Sequence, residues 1–103
     1  DEMLSIPGID VAVLGIMDLS VDLGIPGQIN HPLMTQSIEK IVSVSQKYGI
    51  SSGIIAGDLE FVANWGRKGM SFLSYATGER ILFDAAAKSV QQLRISIKPP
   101  EDL

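Results

Sequence analysis

Val11-Ala12-Val13-Leu14-Gly15-Ile16 is a short continuous apolar run that stops at Asp18-Leu19-Ser20. Unbroken runs of this length suit strands covered on both faces, as in a parallel sheet. Two more follow: Ser52-Gly53-Ile54-Ile55-Ala56-Gly57 and Met70-Ser71-Phe72-Leu73-Ser74-Tyr75-Ala76. Between them the period changes to that of a helix. Pro32 suits a first helical position, where its missing N–H costs nothing. Met34, Ile38, Ile41 and Val42 then recur on one helical face, and Gly49 ends the helix as its C′ residue. Asp58 reads as the N-cap of a short helix through Leu59, Val62 and Trp65, ending near Gly66 or Gly69. A last helix carries Ile81, Leu82, Ala85, Ala86, Val90 and Leu93 on one face. Strand and helix alternate three times, which means a parallel sheet with right-handed crossovers. This order fits part of an open doubly wound sheet or part of a closed barrel, and pattern alone does not choose.

The remaining stretches are connections. Residues 1–9 read as the end of an element and a turn, punctuated by Pro7-Gly8. Residues 19–31 read as a long connection, with Gly24-Ile25-Pro26-Gly27 as a type II turn. The tail over residues 97–103 contains Pro99-Pro100 and does not continue the last helix.

Composition narrows the classes. The chain has 103 residues, 46% of them hydrophobic and 19% charged, with a mean hydropathy of +0.25. That balance suits a piece of a larger body or an oligomer. A net charge of −4 and scattered Lys and Arg argue against a nucleic-acid face, which shows a basic stripe. The absence of cysteine removes disulfides, thiolate catalysis and cysteine-ligated zinc. It is compatible with a reducing cytosol, and a cytoplasmic protein is the expectation. No apolar run is long enough to span a membrane. The opening Asp1-Glu2-Met3 has no basic n-region or apolar h-region of a signal peptide. With no Met at position 1, the chain is expected to begin inside a longer polypeptide.

In either architecture ligands bind at the C-terminal ends of parallel strands. Three places qualify: Gly15–Ser20, Ile55–Asp58 and Tyr75–Glu79. Asp18 follows the first strand and could ligate a hard cation, which prefers oxygen donors, or cap a turn. Gly15 would let a substrate approach the backbone, or it could serve a tight strand exit. Asp58 reads first as an N-cap, Glu79 as a charge favourable at a helix start, and His31 as a helix-start residue. One histidine and no cysteine assemble neither a Ser-His-Asp triad nor the usual zinc site. Gly24–Gly27 lacks the Lys-Ser/Thr of a P-loop and the spacing of a dinucleotide fingerprint. Trp65 and Tyr48 read as packing residues.

The stretch Gly15-Ile16-Met17-Asp18-Leu19-Ser20-Val21-Asp22-Leu23-Gly24-Ile25-Pro26-Gly27-Gln28 resembles the segment of the HpcH/HpaI aldolase/citrate lyase family that reads G-P-x-D-L-S, a spacer, L-G and a further glycine. Pro7-Gly8-Ile9-Asp10 fits the family's approach to that strand. Gly53-Ile54-Ile55-Ala56 and Gly69-Met70-Ser71-Phe72-Leu73-Ser74 resemble its next and last strands. Ile16 stands where the family commonly has proline.

The resemblance implies a fold: the C-terminal three βα units of a (β/α)₈ TIM barrel, with residues 1–103 forming a partial barrel. It also implies an activity, the cleavage of 4-hydroxy-2-oxo acids to pyruvate and an aldehyde with a divalent metal (Mg²⁺, Mn²⁺ or Co²⁺). By resemblance, Asp18 falls on the metal-ligand position. Gly15, Ile16 and Met17 fall where the backbone cradles the pyruvate carboxylate, and Ile55 falls on an apolar residue lining the same site. The family's other metal ligand, a Glu, and its catalytic His and substrate-binding Arg come from earlier strands, so no catalytic residue is assigned and the chain alone is expected to be inactive. The family's last helix takes part in oligomer contacts, and the expected partners are an oxo-acid substrate and further copies of the chain, as a homo-oligomer (a hexamer), with neither nucleic acid nor membrane. The alternatives are an acyl-CoA lyase of the citrate lyase β-subunit or malyl-CoA type, and a non-catalytic half-barrel assembly module.

Overall fold

The computed structural model describes residues 1–99. After a single 3-10 turn at Met3–Ser5 the elements run β1 (Val11–Gly15), α1 (Ile16–Asp22), α2 (Pro32–Lys47), β2 (Ser51–Ala56), α3 (Leu59–Arg67), β3 (Phe72–Tyr75) and α4 (Gly78–Ser96). The strands form one parallel sheet in the order β1-β2-β3. This is the alternating α/β architecture expected, with one helix more than expected. Among the described residues no helix is long and apolar enough to cross a membrane. The tail expected over residues 97–103 leaves the helix at Ile97, and residues 100–103 lie outside the described residues.

The extra helix corrects the long connection expected over residues 19–31. α1 begins directly after β1, with Gly15 as its N-cap. Ile16, Leu19, Ser20 and Leu23 recur at helical spacing. Ile16 is in the core, with Leu19 and Leu23 packed against it, so burial on one face holds the helix. Asp18 therefore sits in a first helical turn and not in a loop beyond the strand. The turn expected over residues 24–27 lies one residue later: Gln28 N–H donates to Ile25 O at 3.0 Å, with Pro26 and Gly27 at its centre and Gly27 at φ +76.

Three helices end the same way. Ile25 N–H reaches back to Ser20 O, Ile50 N–H to Ser45 O and Met70 N–H to Trp65 O, at 2.9 to 3.0 Å. Gly24, Gly49 and Gly69 occupy the left-handed position between, with φ of +74, +66 and +110. This is the Schellman closure, which returns the last carbonyls of the helix to a partner. Helix starts are equally local. Asp58 Oδ1 accepts from Phe61 N–H at 2.8 Å, Thr77 Oγ1 from Arg80 N–H at 3.2 Å, and His31 Nδ1 from Leu33 N–H at 3.1 Å ahead of Pro32.

The core lies between α1, α2 and α3 and one face of the sheet. Met34, Ile38, Ile54 and Trp65 are its most deeply buried large side chains, joined by Phe61, Val62 and Met70. Phe61 meets Trp65 edge-on, with ring centroids 6.4 Å apart, an arrangement aromatic pairs favour. The opposite face of the sheet is bare. Val11, Val13, Ile55 and Phe72 all lie exposed, which corrects the expectation of strands covered on both faces. In a closed barrel this face is the packed interior; three strands form only part of its wall. α4 is the second departure. Its helix forms, but none of its residues is buried, and the molecule extends 70 × 27 × 21 Å.

Candidate functional site at the strand C-termini

Register brings the three strand ends to one level. Gly15 pairs with Ile55 and Ile55 with Ser74, so all three lie on the bare face at the C-terminal edge. Beyond them the chain turns into α1 directly, into α3 through Gly57-Asp58, and into α4 through Ala76-Thr77. These exits enclose a cleft of about 500 Å³ lined by Ile16, Met17, Gly27, Ile29, Ile55, Ala56, Gly57, Asp58, Ala76, Thr77 and Arg80.

Three residues chosen from the sequence, Ile16, Met17 and Ile55, thus line one cleft. Gly15 and Asp18 stand beside it. A Cβ added to Gly15 would lie 3.3 Å from Asp18 Oδ2, so the Asp18 carboxylate folds back over the bare Gly15 backbone. Asp18 is exposed. Asp58 lines the cleft while its Oδ1 is engaged as the α3 cap.

Sequence reasoning missed Gly27, Ile29 and Arg80, whereas Thr77 lies within residues 75–79, one of the three places it singled out. Thr77 carried a signal, being a hydroxyl residue between an apolar run and a helix. Gly27 and Ile29 arrive through the fold of the connection after α1. Ser20 secures that connection. Its hydroxyl donates to Met17 O at 2.6 Å and accepts Gly27 N–H at 3.0 Å, while its carbonyl accepts from Ile25 N–H. Arg80 adds a cation to the cleft, its Nε held 3.0 Å from Asp84 Oδ2.

The donor set does not fit a divalent ion. A hard cation needs several oxygen ligands, and among the described residues no three His, Cys, Asp or Glu gather as a group that could hold one. Asp18 offers a single exposed carboxylate.

No protein-family model matches the chain. Individual relatives do. The hydroxypyruvate/pyruvate aldolase of Paraburkholderia phytofirmans is 28% identical over 94 residues, covering 91% of this chain and 36% of the relative. The 4-hydroxy-2-oxo-heptane-1,7-dioate aldolase of Escherichia coli is 26% identical over 85 residues, covering 82% of this chain and 32% of the relative. A solved HpcH/HpaI aldolase/citrate lyase family protein from Burkholderia cenocepacia superposes with a TM-score of 0.86 at 25% identity, covering 89% of this chain and 36% of that one. The chain is HpcH/HpaI-like. Its parallel sheet and helices match part of an aldolase barrel. The chain spans about a third of the length of the relatives it matches, and those relatives are aldolases.

Proposed function

We propose that this HpcH/HpaI-like chain is a piece of a divalent-metal-dependent aldolase that cleaves 4-hydroxy-2-oxo acids to pyruvate and an aldehyde. In that reaction the bond between C3 and C4 breaks and its electron pair passes toward the 2-oxo group as an enolate. The C4 hydroxyl gives up its proton to become the aldehyde carbonyl, and C3 takes a proton to complete pyruvate. Charge gathers on the keto-acid oxygens, where preorganised electrostatics contribute most.

The observation that carries the reading is the register of Gly15 with Ile55 at the strand C-termini, beside a cleft lined by Ile16, Met17 and Ile55. In a barrel enzyme this edge holds the substrate. The chain's own contribution is a wall. Bare backbone from Gly15 to Met17 faces the oxo-acid carboxylate, while Ile16 and Ile55 keep water from the apolar side. Asp18 supplies one carboxylate and cannot hold an ion alone, so the chain by itself is inactive.

Two measurements test this. The 103-residue chain, assayed for pyruvate release from 4-hydroxy-2-oxo acids with Mg²⁺, Mn²⁺ or Co²⁺, should release none; release would overturn the incompleteness of the site. Grafted in place of the matching third of the P. phytofirmans aldolase, the chain should support release that EDTA suppresses, and Asp18→Asn should lower it at least about 100-fold, the lower range for losing one charge-stabilising group. A folded graft that is inactive with Asp18 in place would overturn the aldolase reading.

A further inference from the structure

Helix electrostatics favour Lys47, Arg67 and Arg94, which stand in the last turns of α2, α3 and α4. Arg80 breaks the pattern. It lies in the first turn of α4, where a cation opposes the macrodipole. Its ion pair with Asp84, at 3.0 Å across one turn, runs in the weaker sense, with the cation N-terminal to the carboxylate. Both side chains are solvated, so the pair contributes little to stability. Broken local rules of this kind gather at functional sites.

The fold turns this cation into the cleft. Ala76 N–H bonds Ala56 O at 2.9 Å, carrying the sheet one residue past β3, and Ala76 then takes a left-handed φ of +51. Thr77 caps α4 through Arg80 N–H, and the Arg80 side chain lines the cleft as the one cation among its walls. Asp84 engages only Nε, which orients the guanidinium. The N–H groups on its two Nη atoms find no protein partner among the described residues. A planar fork left open in this way takes a carboxylate bidentately. The carboxylate of Asp58, also in the cleft wall, is committed elsewhere. Its Oδ1 accepts from Phe61 N–H at 2.8 Å, where the start of α3 offsets its charge.

Arg80 is also set apart from the keto-acid end. β1 and β3 flank β2, so their exits lie two strand spacings apart, roughly 10 Å. On the aldolase reading the oxo-acid carboxylate faces the Gly15–Met17 backbone at the β1 exit. A substrate that crosses Ile55 from there brings its far end to Arg80. We propose that Arg80 is the subsite for a second carboxylate, at the far end of the aldehyde half, so that the site selects 4-hydroxy-2-oxo acids whose aldehyde product carries its own carboxylate. Ile29 and Ile55 line the space between with apolar side chains, which suits the methylenes separating two charged ends. The identity of the acid rests on the aldolase reading, whereas the carboxylate subsite does not, and the two are tested separately.

Nitrogen resonances of the 103-residue chain report the subsite without catalysis. Butyrate should shift Arg80 Nε and the Thr77 and Gly57 amides saturably, while butyramide, its neutral counterpart, leaves them in place. Arg80→Gln should weaken butyrate binding at least about tenfold, the loss expected for hydrogen bonds to a charged group. Arg80→Lys keeps the charge without the fork and should fall between. Equal shifts with butyramide, shifts as large at Arg67 and Arg94 as at Arg80, or an Arg80→Gln chain that binds butyrate like the parent would each overturn the subsite. In the grafted aldolase, the kcat/KM ratio of an oxo acid ending in a carboxylate to its matching carboxamide should fall at least about tenfold with Arg80→Gln, with the change in KM. An unchanged ratio overturns the substrate selection. A graft inactive on both substrates sinks the aldolase reading instead, and the butyrate titration still decides the subsite.

Discussion

Replacing Gly53 with alanine strikes the register that aligns the cleft. Gly53 pairs with Phe72 in the middle of the sheet. A Cβ there would lie 2.4 Å from the Phe72 carbonyl oxygen and 2.7 Å from Phe72 Cβ. Neither atom is the far end of a flexible side chain, so β2 and β3 must separate. Non-bonded carbons prefer about 3.5–4.0 Å, and the separation required is roughly 1 Å. Overpacking of this kind costs about 1–3 kcal/mol, and the stiffer unfolded chain returns about 0.4–1 kcal/mol. The net loss is roughly 1–2 kcal/mol, which lowers Tm by roughly 5–15 °C in a domain of this size.

Gly57 supplies the control two residues beyond Ile55. A Cβ there meets nothing within 4 Å, and its φ lies outside the left-handed range. Gly57→Ala should be neutral or stabilising by up to about 1 kcal/mol. Thermal melts of the two variants, followed by circular dichroism beside the parent, should therefore move in opposite directions. If Gly53→Ala melts within about 2 °C of the parent, Phe72 does not lie against Gly53. The register that places Ile55 level with Gly15 and Ser74 would then fall with it, because a one-residue slip sends every side chain of a strand to the other face.

Ser20→Ala should cost about 1 kcal/mol, since the Gly27 N–H loses its acceptor where solvent can partly replace it; hydrogen exchange at the Gly27 amide should quicken, and unchanged protection would remove Ser20 from the cleft wall. Trp65→Ala should cost about 3–5 kcal/mol, a large share of the stability of a chain of this size, and a far-UV melt should show it largely unfolded at 37 °C. Asp58→Ala should lose about 1 kcal/mol of capping, read from the urea midpoint, while Asp58→Ser should restore most of it.

What the sequence declared was local. Pro32, Gly49, Asp58 and the Pro26-Gly27 turn, the last displaced by one residue from its expected bounds, act through hydrogen bonds spanning two to five residues, so their meaning is contained in the residues beside them. α1 escaped notice because it begins without a boundary. Gly15 caps it with no side chain, and Ile16 completes an apolar run that serves equally as the end of a strand or the start of a helix. Its period appears only when Ile16 is grouped with Leu19, Ser20 and Leu23 rather than with Leu14. Within the cleft, residues 15–20, 55–58 and 75–79 were legible as stretches because strand ends point to them. Gly27, Ile29 and Arg80 were not, because they reach the cleft through the path of a turn and the departure of α4, which no short-range pattern encodes.

The misreadings of burial share one cause. Apolar periodicity records the surroundings for which a segment is built, and three segments here are built for more cover than 99 described residues provide. Val11, Val13, Ile55 and Phe72 are apolar on a face that a closed barrel would fill. Leu73 and Tyr75 are apolar where the next helix would lie. Leu82, Phe83, Val90 and Leu93 form a stripe with nothing beneath it. Contiguous exposed apolar surface of this extent marks interaction sites in soluble proteins. The first surface asks for more strands of a barrel, and the same open face leaves Asp18 without companion ligands among the described residues.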